Sequence, residues 1–143
     1  MSDATRTEHD LIGEREIPAD VYWGVHTLRA LENFPITGVQ IGVSPYLVES
    51  IAAVKQAAAA ANHDLGLLDD QRYEAISGAC EEIRAGALHD QFVVDVMQGG
   101  AGTSTNMNAN EVIANMALRE LGEVRDVSLI EAGMEETVKW LLA

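Results

Sequence analysis

The sequence predicts a mainly α-helical domain with short extended segments. Apolar residues recur every three or four positions over most of the chain after residue 43, which is the period of an amphipathic helix. Only "FVVDV", residues 92–96, has the composition of a possible strand, and it is short enough to be helical or simply extended. Apolar residues make up 48% of the 143 positions, enough for the core of one globular domain.

The N-terminal region, residues 8–43, is predicted to form loops and short elements. It mixes polar residues with four glycines and two prolines, which favour turns. One turn of helix is expected within "ADVYWGVHTLRAL".

The first long helix is predicted over residues 44–66. Ser44 suits the N-cap, Pro45 suits the first helical position, and Gly66 fits the stop. Its alanine-rich side would let another helix approach closely. The positions expected to face the core recur at helical spacing: Leu47, Ile51, Val54, Ala58, Ala61 and Leu65.

Three more helices are predicted. The second covers residues 70–88, and the third begins near Asn108 and stops at Gly122. The fourth starts at Ser128, which forms a capping box with Glu131, and runs to the C-terminus. The second helix should face the core with Tyr73, Ile76, Cys80, Ile83 and Ala87.

The chain is strongly acidic. Nine basic and 23 acidic residues give a formal net charge of −14, so the phosphates of a nucleic acid would meet a like-charged surface. No apolar run is long enough to span a membrane, and "MSDATRTEHDL" lacks the apolar core of a secretory signal. The single cysteine, Cys80, is interpreted as a small buried apolar residue. These features predict a cytoplasmic protein that binds neither nucleic acid nor membrane.

A glycine-, hydroxyl- and amide-rich stretch, "QGGAGTSTNMNAN", lies between two apolar segments and ends where the third helix is predicted to begin. Backbone N–H groups at a helix N-terminus, with hydroxyl and amide donors, suit a carboxylate or phosphate. The same residue types also build turns and helix caps, so a structural connector and an anion site both remain open. Three glycines, Gly99, Gly100 and Gly102, would let a ligand approach the main chain closely. The side-chain donors are the hydroxyls of Thr103, Ser104 and Thr105 and the amides of Asn106 and Asn108.

Two long segments resemble the fumarase/aspartase superfamily in the expected order. They are "DLIGEREIPADVYWGVHTLRALENFPI" and "VVDVMQGGAGTSTNMNANEVIAN". Within the superfamily, "GVHTLRALENF", "HDQF" and "GGAGTS" are similar to the aspartate ammonia-lyase branch, where class II fumarases usually carry other residues. The resemblance therefore implies the N-terminal helical domain of this fold over residues 1–122.

The resemblance implies a reversible elimination of ammonia from L-aspartate to give fumarate, with no cofactor and no metal. Thr103 aligns with the threonine of the family's carboxylate-binding loop, and Ser104, Gly102 and Asn106 are its neighbours of lower weight. Full-length relatives build each active site from three subunits of a tetramer. The implied partners are thus L-aspartate or fumarate, and either further copies of the chain or a complementary lyase chain.

Residues 123–143 do not resemble the family, and we interpret them as a separate helical tail. The Gly-Ser-Ser-x-Met-Pro-x-Lys-x-Asn loop that carries the family's catalytic serine is absent from the 143 residues. We therefore place no catalytic residue in this chain and expect it to be inactive by itself. A class II fumarase-like fragment and a non-catalytic helical domain remain as alternatives.

Three polar residues are given structural interpretations. His26 is expected to make a structural hydrogen bond, and Arg29 is expected to anchor the N-terminal segment by pairing with an acid. Lys55 is a possible functional cation, but a solvated or ion-paired side chain on the first long helix is the favoured interpretation.

The excess of acidic residues predicts that salt stabilises the protein, because salt screens self-repulsion of the charged surface. The melting temperature should rise between low and molar KCl, and thermal unfolding followed by circular dichroism measures it. Excess acid with only two lysines is also typical of proteins from a high-salt cytoplasm, so we hypothesise a halophilic source. A melting temperature that stays constant or falls would contradict this hypothesis.

Overall fold

A computed structural model describes residues 4–122 and confirms the mainly α-helical class. The helix predicted from Ser128 onward lies outside the described residues. No helix within residues 4–122 is both long and apolar enough to cross a membrane. The elements, in chain order, are β1 (Thr5–Asp10), β2 (Gly13–Pro18), α1 (Val25–Asn33), α2 (Pro45–Asp64), α3 (Asp70–Arg84) and α4 (Thr103–Glu120).

The N-terminal region contains a regular hairpin, which agrees with the short extended segments predicted for the domain, although the pairing of the two strands was not predicted. Strands β1 and β2 pair antiparallel, with Arg6 opposite Ile17. Only Glu8 and Ile17 are buried along the two strands. The alternation of apolar and polar residues that marks a half-buried strand is therefore absent. Helix α1 is also longer than the single turn predicted, with nine residues.

Arg29 ties this hairpin to α1, as predicted. Its guanidinium donates to both Asp10 carboxylate oxygens, at 2.6 and 2.7 Å, and to the Gly13 carbonyl at 2.9 Å. Both charged side chains are largely buried. The paired geometry positions the turn of the hairpin against α1.

Helix α2 has the predicted bounds, with Pro45 in its first turn, but its predicted buried face is wrong. Leu47, Val54 and Leu65 are 41%, 66% and 71% exposed. The side that packs against α3 and α4 is the alanine-rich one, because small side chains let neighbouring helices approach closely. The buried residues of α2 are Val48, Ala52, Lys55 and Ala59.

Helix α3 ends at Arg84 rather than at residue 88, and Gly86 then takes a left-handed φ of 102°. Cys80 is fully buried, as predicted, and burial raises the pKa of its thiol to about 12. A thiol that is neutral at physiological pH is a poor nucleophile, so Cys80 is a packing residue.

Helix α4 is the central helix and begins at Thr103, five residues before the predicted start near Asn108. Threonine, serine and asparagine are weak helix formers, so composition alone made the first turn resemble a loop. The stop agrees with the prediction, since Gly122 has a left-handed φ of 68°. Helix α4 packs against α1, α2 and α3. Its buried residues are Asn108, Ala109, Asn110, Glu111, Val112, Ile113, Asn115, Met116 and Ala117.

Glu111 joins α4 to the N-terminus of α1. Its carboxylate, which is 3% exposed, accepts backbone N–H bonds from Gly24 and His26 at 2.8 Å. It also accepts from the Thr27 backbone at 3.1 Å and the Thr27 hydroxyl at 2.6 Å. A buried carboxylate at a helix N-terminus satisfies donors that have no partner inside the helix and complements the helix dipole.

A second buried carboxylate, Glu8, completes this junction. It accepts from the Val25 N–H at 2.8 Å and from Arg6 Nε at 2.8 Å. A methyl group on Gly24 would lie 2.6 Å from a Glu8 oxygen and 2.9 Å from the Glu111 carboxyl. The two carboxylates can converge here because position 24 has no side chain.

Residues 92–96 form neither a helix nor a regular strand, and an isolated antiparallel β-bridge joins Asp95 to Gln40. The Ile41 N–H donates to the Val94 carbonyl at 2.9 Å. The Asp95 carboxylate accepts from the backbone N–H groups of Thr37 and Gly38 at 2.7 and 2.8 Å. The segment is therefore not helical, and its strand character is limited to the single bridge at Asp95.

Replacing Glu111 with glutamine should lower the free energy of unfolding by about 3 kcal/mol, because the amide turns an NH2 group toward buried N–H donors. Urea unfolding followed by circular dichroism measures this. The control is Glu82→Gln on the exposed side of α3, which should change stability by less than about 0.5 kcal/mol. Equal effects of the two variants would contradict the anchoring role of Glu111.

The Arg29–Asp10 pair predicts a pH-dependent loss of stability. Hydrogen bonding to Arg29 holds the pKa of Asp10 at about 2, below its usual value. The contribution of the pair is therefore complete above about pH 4 and is lost as the pH falls toward 2. Asp10→Asn should lower the urea midpoint at pH 7, and the difference from the unmutated chain should shrink as the pH approaches 2. A difference that does not depend on pH would contradict this.

Candidate functional site

The glycine-rich loop, residues 98–102, leads directly into α4. Gly100 and Gly102 have left-handed φ values of 84° and 86°, which glycine adopts without strain. Gly102 is the N-cap residue and has no side chain with which to cap the helix. The helix end is consequently left open to an external acceptor.

Gln98 satisfies only part of this open end. Its Oε1 accepts from the Thr105 backbone at 2.8 Å, and its Nε2 donates to the Thr105 hydroxyl at 2.8 Å. Within residues 4–122, the backbone N–H groups of Thr103 and Ser104 have no hydrogen-bond acceptor. Two adjacent donors therefore remain at the positive end of an 18-residue helix.

The four predicted site residues all lie at this end of α4. Gly102 caps the helix, and Thr103, Ser104 and Asn106 belong to its first turn. Thr103 is exposed, whereas Ser104 and Asn106 are half-buried. The hydroxyls of Thr103 and Ser104 make no hydrogen bond within the part of the chain that the structure describes. This turn thus carries two hydroxyls and two backbone N–H groups that have no partner within residues 4–122.

Asn108, the other amide considered from the sequence, lies outside this group. It is fully buried, and its Oδ1 accepts from the Val93 N–H at 2.9 Å. Its Nδ2 donates to the Gln91 carbonyl at 3.0 Å. Both polar atoms of Asn108 therefore serve to hold residues 91–93 against α4.

Lys55 is a functional candidate that the sequence reasoning set aside in favour of a solvated or ion-paired side chain. It is 7% exposed rather than solvated, and it forms no ion pair with any of the described residues. Its Nζ donates to Asn106 Oδ1 at 2.5 Å. Burial lowers the pKa of Lys55 from its ordinary value. A buried amine thus lies beside the first turn of α4, where the helix end is already positive.

The signal for Lys55 was its position on the alanine-rich side of α2. Val48, Ala52, Lys55 and Ala59 recur at helical spacing, and the other three are small or branched apolar residues. A lysine within such a stripe cannot reach solvent freely once that side packs. The wrong choice of buried face therefore hid this residue.

His26 makes the expected structural hydrogen bond. Its Nδ1 lies 3.2 Å from a Glu111 oxygen, and this hydrogen bond raises the pKa of His26. Within residues 4–122, no three His, Cys, Asp or Glu side chains are grouped so that they could hold a metal ion.

Sequence comparison and structure comparison with known proteins both identify relatives in the same family. Residues 13–132 match the family described as lyase. The chain is 57% identical over 123 residues to a class II fumarate hydratase from Halobacterium salinarum, and 55% identical over 122 residues to an aspartate ammonia-lyase from Pseudomonas aeruginosa. These alignments cover 86% and 85% of the chain but only 26% of each relative, so the chain spans about a quarter of their length.

The solved structures that are similar to this fold come from the same family of enzymes. The fold superposes on the fumarate lyase:delta crystallin of Brucella melitensis with a TM-score of 0.88 and 52% identity, covering 93% of this chain and 31% of that one. A class II fumarase from Schistosoma mansoni gives a TM-score of 0.80 at 32% identity, covering 86% of this chain and 26% of that one. The chain belongs to the lyase family that includes aspartate ammonia-lyases and class II fumarases.

Proposed function

We propose that the N-terminal turn of α4 binds a substrate carboxylate in the reversible conversion of L-aspartate to fumarate and ammonia. The observation that carries this proposal is the pair of backbone N–H groups at Thr103 and Ser104 that have no acceptor within residues 4–122, with both hydroxyls beside them. Aspartate ammonia-lyases from several bacteria are among the similar proteins, at 52–57% identity.

The elimination needs this kind of site. A base removes a proton from Cβ of L-aspartate, and the electron pair of the C–H bond moves into the adjacent carboxylate, which becomes an aci-carboxylate. The electrons then return to form the Cα–Cβ double bond as the C–N bond breaks and ammonia leaves. Because negative charge builds on the carboxylate oxygens, fixed donors aimed at them lower the barrier.

Thr103 is the residue that we assign most strongly to this role. It is exposed at the first helical position, where both its backbone N–H and its hydroxyl can reach one anion. Ser104, Gly102 and Asn106 support the same turn. No cofactor or metal is needed for this chemistry.

A class II fumarase activity is the second candidate, because the relative from Halobacterium salinarum at 57% identity is a fumarate hydratase. Fumarate is common to both reactions, so a carboxylate site at α4 serves either one. The leaving group differs, ammonia in one case and water in the other. The segment "GGAGTS", which resembles that of aspartate ammonia-lyases, favours the ammonia-lyase reaction.

We propose further that the 143 residues do not catalyse the reaction alone. They span 26% of the length of their relatives and contain no copy of the family's serine-bearing loop. Helix α2 also exposes an apolar side, including Tyr46, Val54 and Leu65 at 81%, 66% and 71%. Such a surface suits packing against further lyase subunits or a complementary lyase chain.

Ultraviolet absorbance tests this proposal by following fumarate formed from L-aspartate or, separately, from L-malate. The purified chain alone should give no turnover. When the chain is added to a lysate of its source, activity above that of the lysate by itself would support a complementary chain. Turnover by the chain alone would overturn the claim that the base lies elsewhere. If the chain forms no fumarate by itself and adds no activity to the lysate, a non-catalytic helical domain would be favoured.

Replacing Thr103 with valine should weaken fumarate binding about tenfold, the effect of losing one hydrogen bond to a charged ligand. Isothermal titration calorimetry on the purified chain measures the dissociation constant. Thr7→Val on the exposed side of β1 is the matched control and should leave binding within about twofold. If both variants bind fumarate as the unmutated chain does, Thr103 is not part of the site.

A further inference from the structure

We infer that Lys55 is a positioning residue that fixes the side-chain amide of Asn106 with its NH2 group presented as a further donor to the bound carboxylate. This inference rests on the proposed carboxylate site at the N-terminus of α4. It assigns to a residue of α2 a function in a site that α4 otherwise builds.

The contact between the two side chains determines the orientation of the amide. An ammonium group has only donors, so it must meet the oxygen of an asparagine and not its nitrogen. Lys55 Nζ lies 2.5 Å from Asn106 Oδ1. Since the oxygen is engaged, the NH2 group of Asn106 is directed to the other side of the amide.

That NH2 group is available. Within the described residues, Asn106 Nδ2 donates to no protein atom, and it is not among the buried polar atoms that lack a partner. Asn106 is half-buried in the first turn of α4, where side chains tilt toward the helix N-terminus. The free amide donors therefore lie near the open N–H groups of Thr103 and Ser104.

The burial of Lys55 is costly unless something compensates it. Its only protein partner among residues 4–122 is a neutral oxygen, and no carboxylate balances its charge there. A buried charge without a counter-ion destabilises the fold, and a carboxylate bound beside the same helix turn would offset that cost. If position 55 served only to pack α2 against α4, an apolar side chain would do so without burying a charge. Val48, Ala52 and Ala59 are apolar residues on the same side of α2.

Asn106→Asp separates a positioning role from a structural one. The aspartate still offers Lys55 an oxygen, so the contact becomes an ion pair and the fold is retained, but the NH2 group is replaced by a second oxygen. Asn62→Asp on α2 is the matched control, since it adds the same charge at a half-buried asparagine whose side chain has no partner within residues 4–122. Lys55→Met removes the amine and leaves the amide free to turn.

Fumarate titrations of the ¹⁵N-labelled chain, monitored by NMR, give the readout. The backbone signals of Thr103 and Ser104 and the side-chain NH2 signals of Asn106 should shift together and saturate at the same concentration. The dissociation constant should rise at least about tenfold in Asn106→Asp and about threefold or more in Lys55→Met, and by less than about twofold in Asn62→Asp. Thermal midpoints should show that Asn106→Asp is as stable as the unmutated chain.

The titrations distinguish failure of the inference about Lys55 from failure of the carboxylate site itself. If Thr103 and Ser104 shift with fumarate while the Asn106 NH2 signals do not, and Asn106→Asp binds like Asn62→Asp, the inference about Lys55 is overturned and the carboxylate site stands. If Thr103 and Ser104 do not shift at millimolar fumarate, the carboxylate site and the inference are overturned together.

Discussion

The buried carboxylate of Glu111 is the interaction on which the arrangement of this chain depends. It joins α4 to the backbone of Gly24, which lies 87 residues away in sequence, and it satisfies several N–H groups at the start of α1. Helix α1 in turn holds the hairpin through Arg29 and Asp10. The N-terminal segment would have little to position it without this junction, since only Ile17 among its apolar strand residues is buried.

Helix α4 therefore has two different electrostatic environments. In its middle, Glu111 supplies negative charge to the N-terminus of another helix, and those donors are fully used. At its own N-terminus, the backbone donors of Thr103 and Ser104 have no acceptor among the residues that the structure describes, and Lys55 adds a buried amine. A chain with a net charge of −14 thus brings a helix N-terminus and a buried amine together, and the proposed carboxylate site rests on this local positive charge.

Local signals predicted much of this structure. Helical spacing and stop residues located α2, α3 and the end of α4, and chemistry alone predicted the Arg29 anchor and the buried Cys80. The hairpin was missed because its strands are almost entirely polar on both sides. The first turn of α4 was assigned to a loop because threonine, serine and asparagine favour loops by composition, whereas the packing of the rest of α4 extends the helix through them.

The burial of Lys55 was not predicted either, and the reason differs from that for the hairpin and the first turn of α4. Helix α2 has an apolar stripe through Leu47 and Leu65 and an alanine-rich stripe through Ala52 and Ala59. Period alone cannot decide which stripe faces the core of this chain, because both recur at helical spacing. The choice depends on how closely α3 and α4 approach, which is a property of the folded structure.

A crystal structure of the chain grown with fumarate would test the central claim, that the N-terminus of α4 is a carboxylate site, most directly. We expect one fumarate carboxylate within hydrogen-bond distance of the Thr103 and Ser104 backbone nitrogens and the Thr103 hydroxyl. Fumarate bound elsewhere on the chain, with those nitrogens bonded to protein atoms, would contradict it.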